Sequence, residues 1–266
     1  MKTNYTTVTE LPGNKASKEQ LARLYHRYHF ASSFCKNKDV LEVACGPGIG
    51  LGYLAKGANK VVGGDIDEKI LRYAYDAYKS RENVEIRKVD AHKLPFEENI
   101  FDAVILYEAI YYLSQPEKFI DEAKRILRED GILIICTVNK DWADFNPSPY
   151  SFKYFSAPEL CKMLNQRFSN VKLYGSFPTS TDSTKDKILS LIKRTAIALH
   201  LIPKTMKGKE SLKRIFFGKL MFIPPEVKDG MAEYNEPVFI SCTYPNSQYK
   251  VLYAVAYVQD QQSQIS

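Results

Sequence analysis

Residues 40–52, VLEVACGPGIGLG, turn within a few positions from an apolar run holding one acid, Glu42, into a loop with glycine at every second position. Val40, Leu41 and Val43 read as a strand buried on both faces, the pattern of a parallel sheet covered by helices. Gly46, Gly48, Gly50 and Gly52 remove side chains where backbone bends tightly and a ligand comes close. The next apolar run, 61–65, closes on Asp65, nineteen residues after Gly46. In nucleotide-binding βαβ units a carboxylate at that place accepts hydrogen bonds from ribose hydroxyls. The dinucleotide pattern G-x-G-x-x-G fails, because its third glycine would fall on Leu51, or on Tyr53 if the count starts at Gly48. A nicotinamide-dependent oxidoreductase is therefore disfavoured.

The stretch resembles the acid-x-x-x-Gly-x-Gly-x-Gly motif of class I S-adenosylmethionine-dependent methyltransferases, with Glu42, Gly46, Gly48 and Gly50 in the matching positions. The resemblance continues in register over roughly residues 25–140. Asp65, followed by Ile66, matches the ribose-binding acid, and Asp90 with Ala91 matches the adenine-contacting turn. Residues 101–113, FDAVILYEAIYYL, resemble the fourth strand and its substrate-side end, and 125–135 the helix, turn and fifth strand. Glu129 and Asp130 replace the proline and glycine usual before Gly131. Upstream, His26, Arg27 and Tyr28 are similar to the HxRYxxA-like lead-in of small-molecule members.

The resemblance implies S-adenosyl-L-methionine as cofactor, held by Arg27, Tyr28, Glu42, Ala44, Gly46, Gly48, Gly50, Asp65, Ile66, Asp90, Ala91 and Tyr107. Arg27 suits the cofactor carboxylate, because a guanidinium offers a rigid two-pronged fork. Glu108 leaves the fourth strand at the crevice and is the first candidate for a general base, with Tyr111, His29 and Tyr154 behind it. Core packing is the competing reading for the tyrosines.

The β-α-β alternation predicts an α/β fold: a doubly wound, mostly parallel seven-stranded sheet with the last strand antiparallel and a helical insertion before it. Ser17 and Gln20 predict a capping box opening a helix, Asp67 and Pro116 open two more, and Gly131 is expected to end the last of these. The predicted organisation is an N-terminal helical cover (1–38), a cofactor-binding core (39–177 and 238–266) and a basic insertion (178–237). Within the insertion, 185–219 carry ten Lys or Arg against two acids, whereas the whole chain of 266 residues has a net charge of +6. A lid over the acceptor site stands first; a surface for an anionic or lipid-linked substrate and a nucleic-acid patch remain open, the last weakened by the lack of a nucleic-acid module.

The five cysteines are scattered and form no C-x-x-C pair, so neither a disulfide framework nor a metal site is expected. The N-terminus lacks the apolar core of a secretory signal and no run is long enough to span a membrane. A soluble, cytoplasmic enzyme is expected. Its acceptor is a small molecule, a sugar or glycan precursor, with an RNA or lipid methyltransferase and a non-catalytic cofactor-binding protein as alternatives. Acceptor identity, the atom methylated and the oligomeric state are not encoded in any motif.

Overall fold

The structure, a computed structural model, describes residues 9–148, 150–179 and 220–259. The basic stretch 185–219 lies outside the described residues. A two-residue strand β1 (Lys15–Ala16) leads into helix α1 (Lys18–Cys35), whose capping box is formed as expected: Ser17 accepts from the Gln20 amide and Gln20 returns the bond. There follow β2 (Asp39–Val43), the short helix α2 (Leu51–Leu54), β3 (Lys60–Asp65), α3 (Glu68–Tyr78) capped by Asp67, β4 (Val84–Lys88) and β5 (Phe101–Tyr107). Helix α4 (Pro116–Ile126), β6 (Leu127–Val138), α5 (Ala157–Asn165), β7 (Asn170–Pro178), β8 (Met221–Phe222), β9 (Val238–Phe239) and β10 (Tyr249–Tyr257) complete the order.

The main sheet runs β4-β3-β2-β5-β6-β10-β7-β9, with β2 to β6 parallel and β10 antiparallel to both neighbours. It is a Rossmann-like sheet of eight strands rather than seven, because the two-residue β9 adds an edge beside β7. The chain winds outward from β2 to β4 and then returns to place β5 on the other side of β2. That reversal opens a crevice at the carboxyl ends of β2 and β5, where doubly wound sheets bind ligands.

Alternation along the strands decides which face each residue meets. Val40, Ala103, Ile105 and Tyr107 belong to the core under α1, α2 and α3, whereas Leu41, Val43, Val104 and Leu106 pack under α4 and α5. Glu42 shares parity with Val40, so its carboxylate is delivered to the α1 face, where it is 1% exposed.

Two expectations are corrected. Gly131 does not end α4; the helix stops at Ile126, and Leu127 pairs with Phe101 before the register jumps to Ala103 opposite Ile132. Leu127 is buried in extended backbone, and Arg128 ties the bulge down through Asp39 (3.0 Å) and Asp102 (2.7 Å), leaving Glu129 and Asp130 exposed. Cys161 on α5 and Cys242 after β9 form a disulfide with Cα atoms 5.6 Å apart, against the expectation of none. The two cysteines are 81 positions apart, and only the return of the chain alongside β7 brings them together. Among the described residues no helix is long and apolar enough to cross a membrane.

Candidate active site

Two non-glycine residues, Ala44 and Glu108, take left-handed backbone (φ +57° and +51°) just beyond β2 and β5. Such strain in neighbouring loops is held by the surrounding packing and concentrates where ligands bind. Between them lies a cavity of about 440 Å³. Its lining includes ten of the twelve residues expected to hold a cofactor: Arg27, Tyr28, Glu42, Ala44, Gly46, Asp65, Ile66, Asp90, Ala91 and Tyr107.

The turn after β2 is held from two sides. The Gly46 amide donates to Asp65 Oδ2 and the Asp67 amide to Oδ1, both at 2.9 Å, so the Asp65 carboxylate is oriented by backbone with lone pairs left for hydroxyls. Burial raises the Asp65 pKa, opposed by those amides. On the other side Tyr78 of α3 donates to the Gly48 carbonyl (2.7 Å) and accepts from the Gly52 amide (3.2 Å). Gly48 and Gly50 lie outside the lining, against neighbouring side chains. A Cβ on Gly50 would fall on the Tyr28 ring, and Gly48, at φ +76°, lies against Ala74.

Tyr28 donates to Glu42 Oε1 at 2.8 Å and packs edge-on against Tyr107, whose hydroxyl donates to the Arg27 carbonyl at 3.0 Å. Burial pushes the Glu42 carboxyl up to about 7, against the pull of Tyr28 and Arg27. Arg27 is 7% exposed and ion-paired with Glu10 at 2.5 Å. Its burial disfavours the charge, but Glu10 and Glu108 outweigh that and hold the guanidinium more basic than usual. Arg27 Nε and Glu42 Oε2 are both buried without a hydrogen-bond partner. A basic and an acidic side chain, each with one orphaned buried atom, thus line one cavity and leave a donor and an acceptor for a polar ligand.

Beyond this end, Glu108 is half-buried and accepts from the Tyr111 hydroxyl at 2.9 Å. Burial raises its pKa, and Arg27 and Arg23 pull the other way. Tyr111 stacks on Tyr154 with ring centroids 4.3 Å apart. Asp90, on the far side, is kept acidic by the His92 amide and ring.

His29 is corrected. Two residues past Arg27, it sits about 200° around the helix and faces away from the cavity. Its Nδ1 lies between the hydroxyls of Tyr25 (3.2 Å) and Tyr53 (3.0 Å), and its ring is 4.1 Å from that of Tyr234. Conversely, Gln20, Arg23 and Leu24 line the cavity with Arg27, a stripe at i, i+3, i+4 and i+7 that the sequence already carried. Thr9 and Glu10 also line it, and no local pattern announced them.

The Rossmann-like fold with a cleft at its switch point is also that of a solved structure from Bacillus halodurans described as a putative methyltransferase, at 17% identity and a TM-score of 0.54, with 91% of this chain and 100% of that one covered. Residues 41–135, from β2 into β6, match the family model described as "Methyltransferase domain". A Mycolicibacterium smegmatis protein named "Probable S-adenosylmethionine-dependent methyltransferase" is 30% identical over 148 residues, 53% of each chain. The chain spans about half the length of the curated relatives it matches. The YcgJ protein of Bacillus subtilis has the same fold, with 15% identity, a TM-score of 0.54, and 88% of this chain and 99% of that one covered. So has the [4+2]-cyclase SpnF, with 18% identity, a TM-score of 0.56, and 93% and 85% covered. At those identities the likeness extends to fold and not to chemistry.

Proposed function

We propose that the chain transfers a methyl group from S-adenosylmethionine to a hydroxyl of a small-molecule acceptor of the sugar or glycan-precursor class. The observation that carries this reading is the Glu108–Tyr111 pair, which shares one cavity with the Asp65 and Gly46 turn. The cofactor supplies an electrophilic methyl on a sulfonium. The protein's part is alignment, which is worth on the order of 7–11 kcal/mol when reacting atoms are held in attack geometry. Asp65 holds the ribose, Arg27 and Glu42 the amino-acid end, and Asp90 with Ala91 the base. Glu108 takes the acceptor's hydroxyl proton as oxygen attacks, and its raised pKa suits it to hold that proton. Tyr111 orients the carboxylate. The tyrosine wall of Tyr111 and Tyr112 offers aromatic faces against which the C–H side of a sugar packs.

The test pairs titration calorimetry with turnover of labelled donor on a panel of acceptors. Asp65→Ala should weaken S-adenosylhomocysteine binding at least tenfold, as expected for about 1.5–3 kcal/mol of charge-assisted bonding. Glu108→Gln should leave that affinity within a few-fold and lower turnover about 10²- to 10⁴-fold. Full turnover in Glu108→Gln overturns the base, and unchanged affinity in Asp65→Ala overturns the cofactor pose.

A further inference from the structure

We propose that Glu10 is a built-in competitor for the cofactor's carboxylate: it holds the Arg27 fork, and cofactor binding must expel it. This rests on the cofactor reading above and assigns the N-terminal segment a part in it. Thr9 and Glu10 lie inside the cavity rather than beside it. The Thr9 methyl carbon stands 3.4 Å from where a Cβ of Gly46 would be, directly over the turn that a ligand approaches. Glu10 Oε2 is 2.5 Å from one terminal nitrogen of Arg27, while the adjacent Nε is buried and unpartnered. A guanidinium edge takes a carboxylate on two nitrogens, and here only one is engaged.

The two partners are unequal. The Arg27 side chain is 8% exposed and must keep an anionic partner, whereas that of Glu10 is 36% exposed and can turn to water. The segment also has a pivot. The Asn14 amide donates to the Leu11 carbonyl across a turn holding Pro12 and Gly13, the latter at φ +83°. Beyond it the chain is fixed to residue 223 by the Gly13 and Ile223 amides (2.9 and 2.8 Å). Residues 9 and 10 therefore swing out without disturbing β1 or α1. The exchange replaces one carboxylate by another on the same cation, and the incoming one, tethered to a bound nucleoside, uses the free Nε as well.

Calorimetry on the full chain with two probes tests this: S-adenosylhomocysteine, which has the amino-acid end, and 5′-methylthioadenosine, which lacks it. The apparent Kd is the intrinsic Kd divided by the fraction of molecules competent to bind, so freeing Arg27 in Glu10→Gln should tighten S-adenosylhomocysteine about tenfold. Methylthioadenosine should change less than about twofold. In the unmutated chain, amide exchange at residues 9–11 should quicken with S-adenosylhomocysteine and not with methylthioadenosine. Unchanged or weaker S-adenosylhomocysteine binding in Glu10→Gln overturns the proposal, as does equal tightening of both probes or protection of those amides. Binding of neither probe by the unmutated chain instead removes the cofactor reading on which it stands.

Discussion

Glu42 is the residue at which the cavity and the stability of the fold meet. An acid inside a buried strand is costly to ionise, and burial raises its pKa to about 7 from an ordinary 4.5. The folded state therefore binds a proton that the unfolded chain releases above pH 4.5. Stability from this group is fully present below that pH and is lost as pH rises through about 7, a swing of about 3 kcal/mol. Glu42→Gln keeps an oxygen for the Tyr28 hydroxyl and removes the titration. Urea unfolding should find the variant close to the unmutated protein near pH 4.5 and more stable by up to about 3 kcal/mol at pH 8.5; a difference that does not vary with pH would remove this account. The sequence carried half of this site openly. The acid interrupting an apolar run and the acid closing the next strand were visible, because strand periodicity exposes a misplaced charge. Arg27 and Tyr28 came only through the resemblance of the lead-in, and Glu10 through no pattern, because the Tyr28–Glu42 and Arg27–Glu10 bonds form only after α1 has packed across β2.

At the level of elements, the helix caps at Ser17 and Asp67 were readable because they are local bonds between near neighbours. The glycines are less legible, because glycine tolerates both a ligand and a neighbouring element, and only packing tells which. Gly50 faces the Tyr28 ring, and Tyr28 is fixed at both ends by Glu42 and Tyr107. The ring has nowhere to retreat. Gly50→Ala should therefore destabilise by about 1–3 kcal/mol through overpacking, and should loosen cofactor binding by displacing the turn. A double-mutant cycle assigns the cause: with Tyr28→Ala already made, the added cost of Gly50→Ala should fall below about 0.5 kcal/mol. An undiminished cost would place the strain in the backbone of α2 instead. The misplaced end of α4 has a similar origin. Gly131 marks a bulge, and it was the buried Leu127 with the doubly paired Arg128 that took the chain out of helix early.

Across the whole molecule the doubly wound topology followed from alternating strands and helices, whereas β9 and the Cys161–Cys242 bond depend on a return of the chain that no short pattern encodes. The disulfide spans an 81-residue separation and fastens α5 to the segment leading into β10, so it restricts the unfolded chain over almost a third of its length. Loop-closure entropy for such a span is about 4 kcal/mol, which for a chain of this size corresponds to roughly 10 °C in Tm. The other three cysteines, Cys35, Cys45 and Cys136, are buried and free. Thiol titration after denaturation without reductant should therefore count three groups, and five after reduction. Thermal unfolding should shift down by about 10 °C on adding a reductant, while the paired substitution Cys161→Ser with Cys242→Ser should start from the lower value and not respond. Five thiols in the untreated protein, or equal response of both forms to reductant, would mean that the covalent link plays no part in holding α5 against β7 and β10, and that the packing of Leu160, Leu164 and Leu173 does so alone.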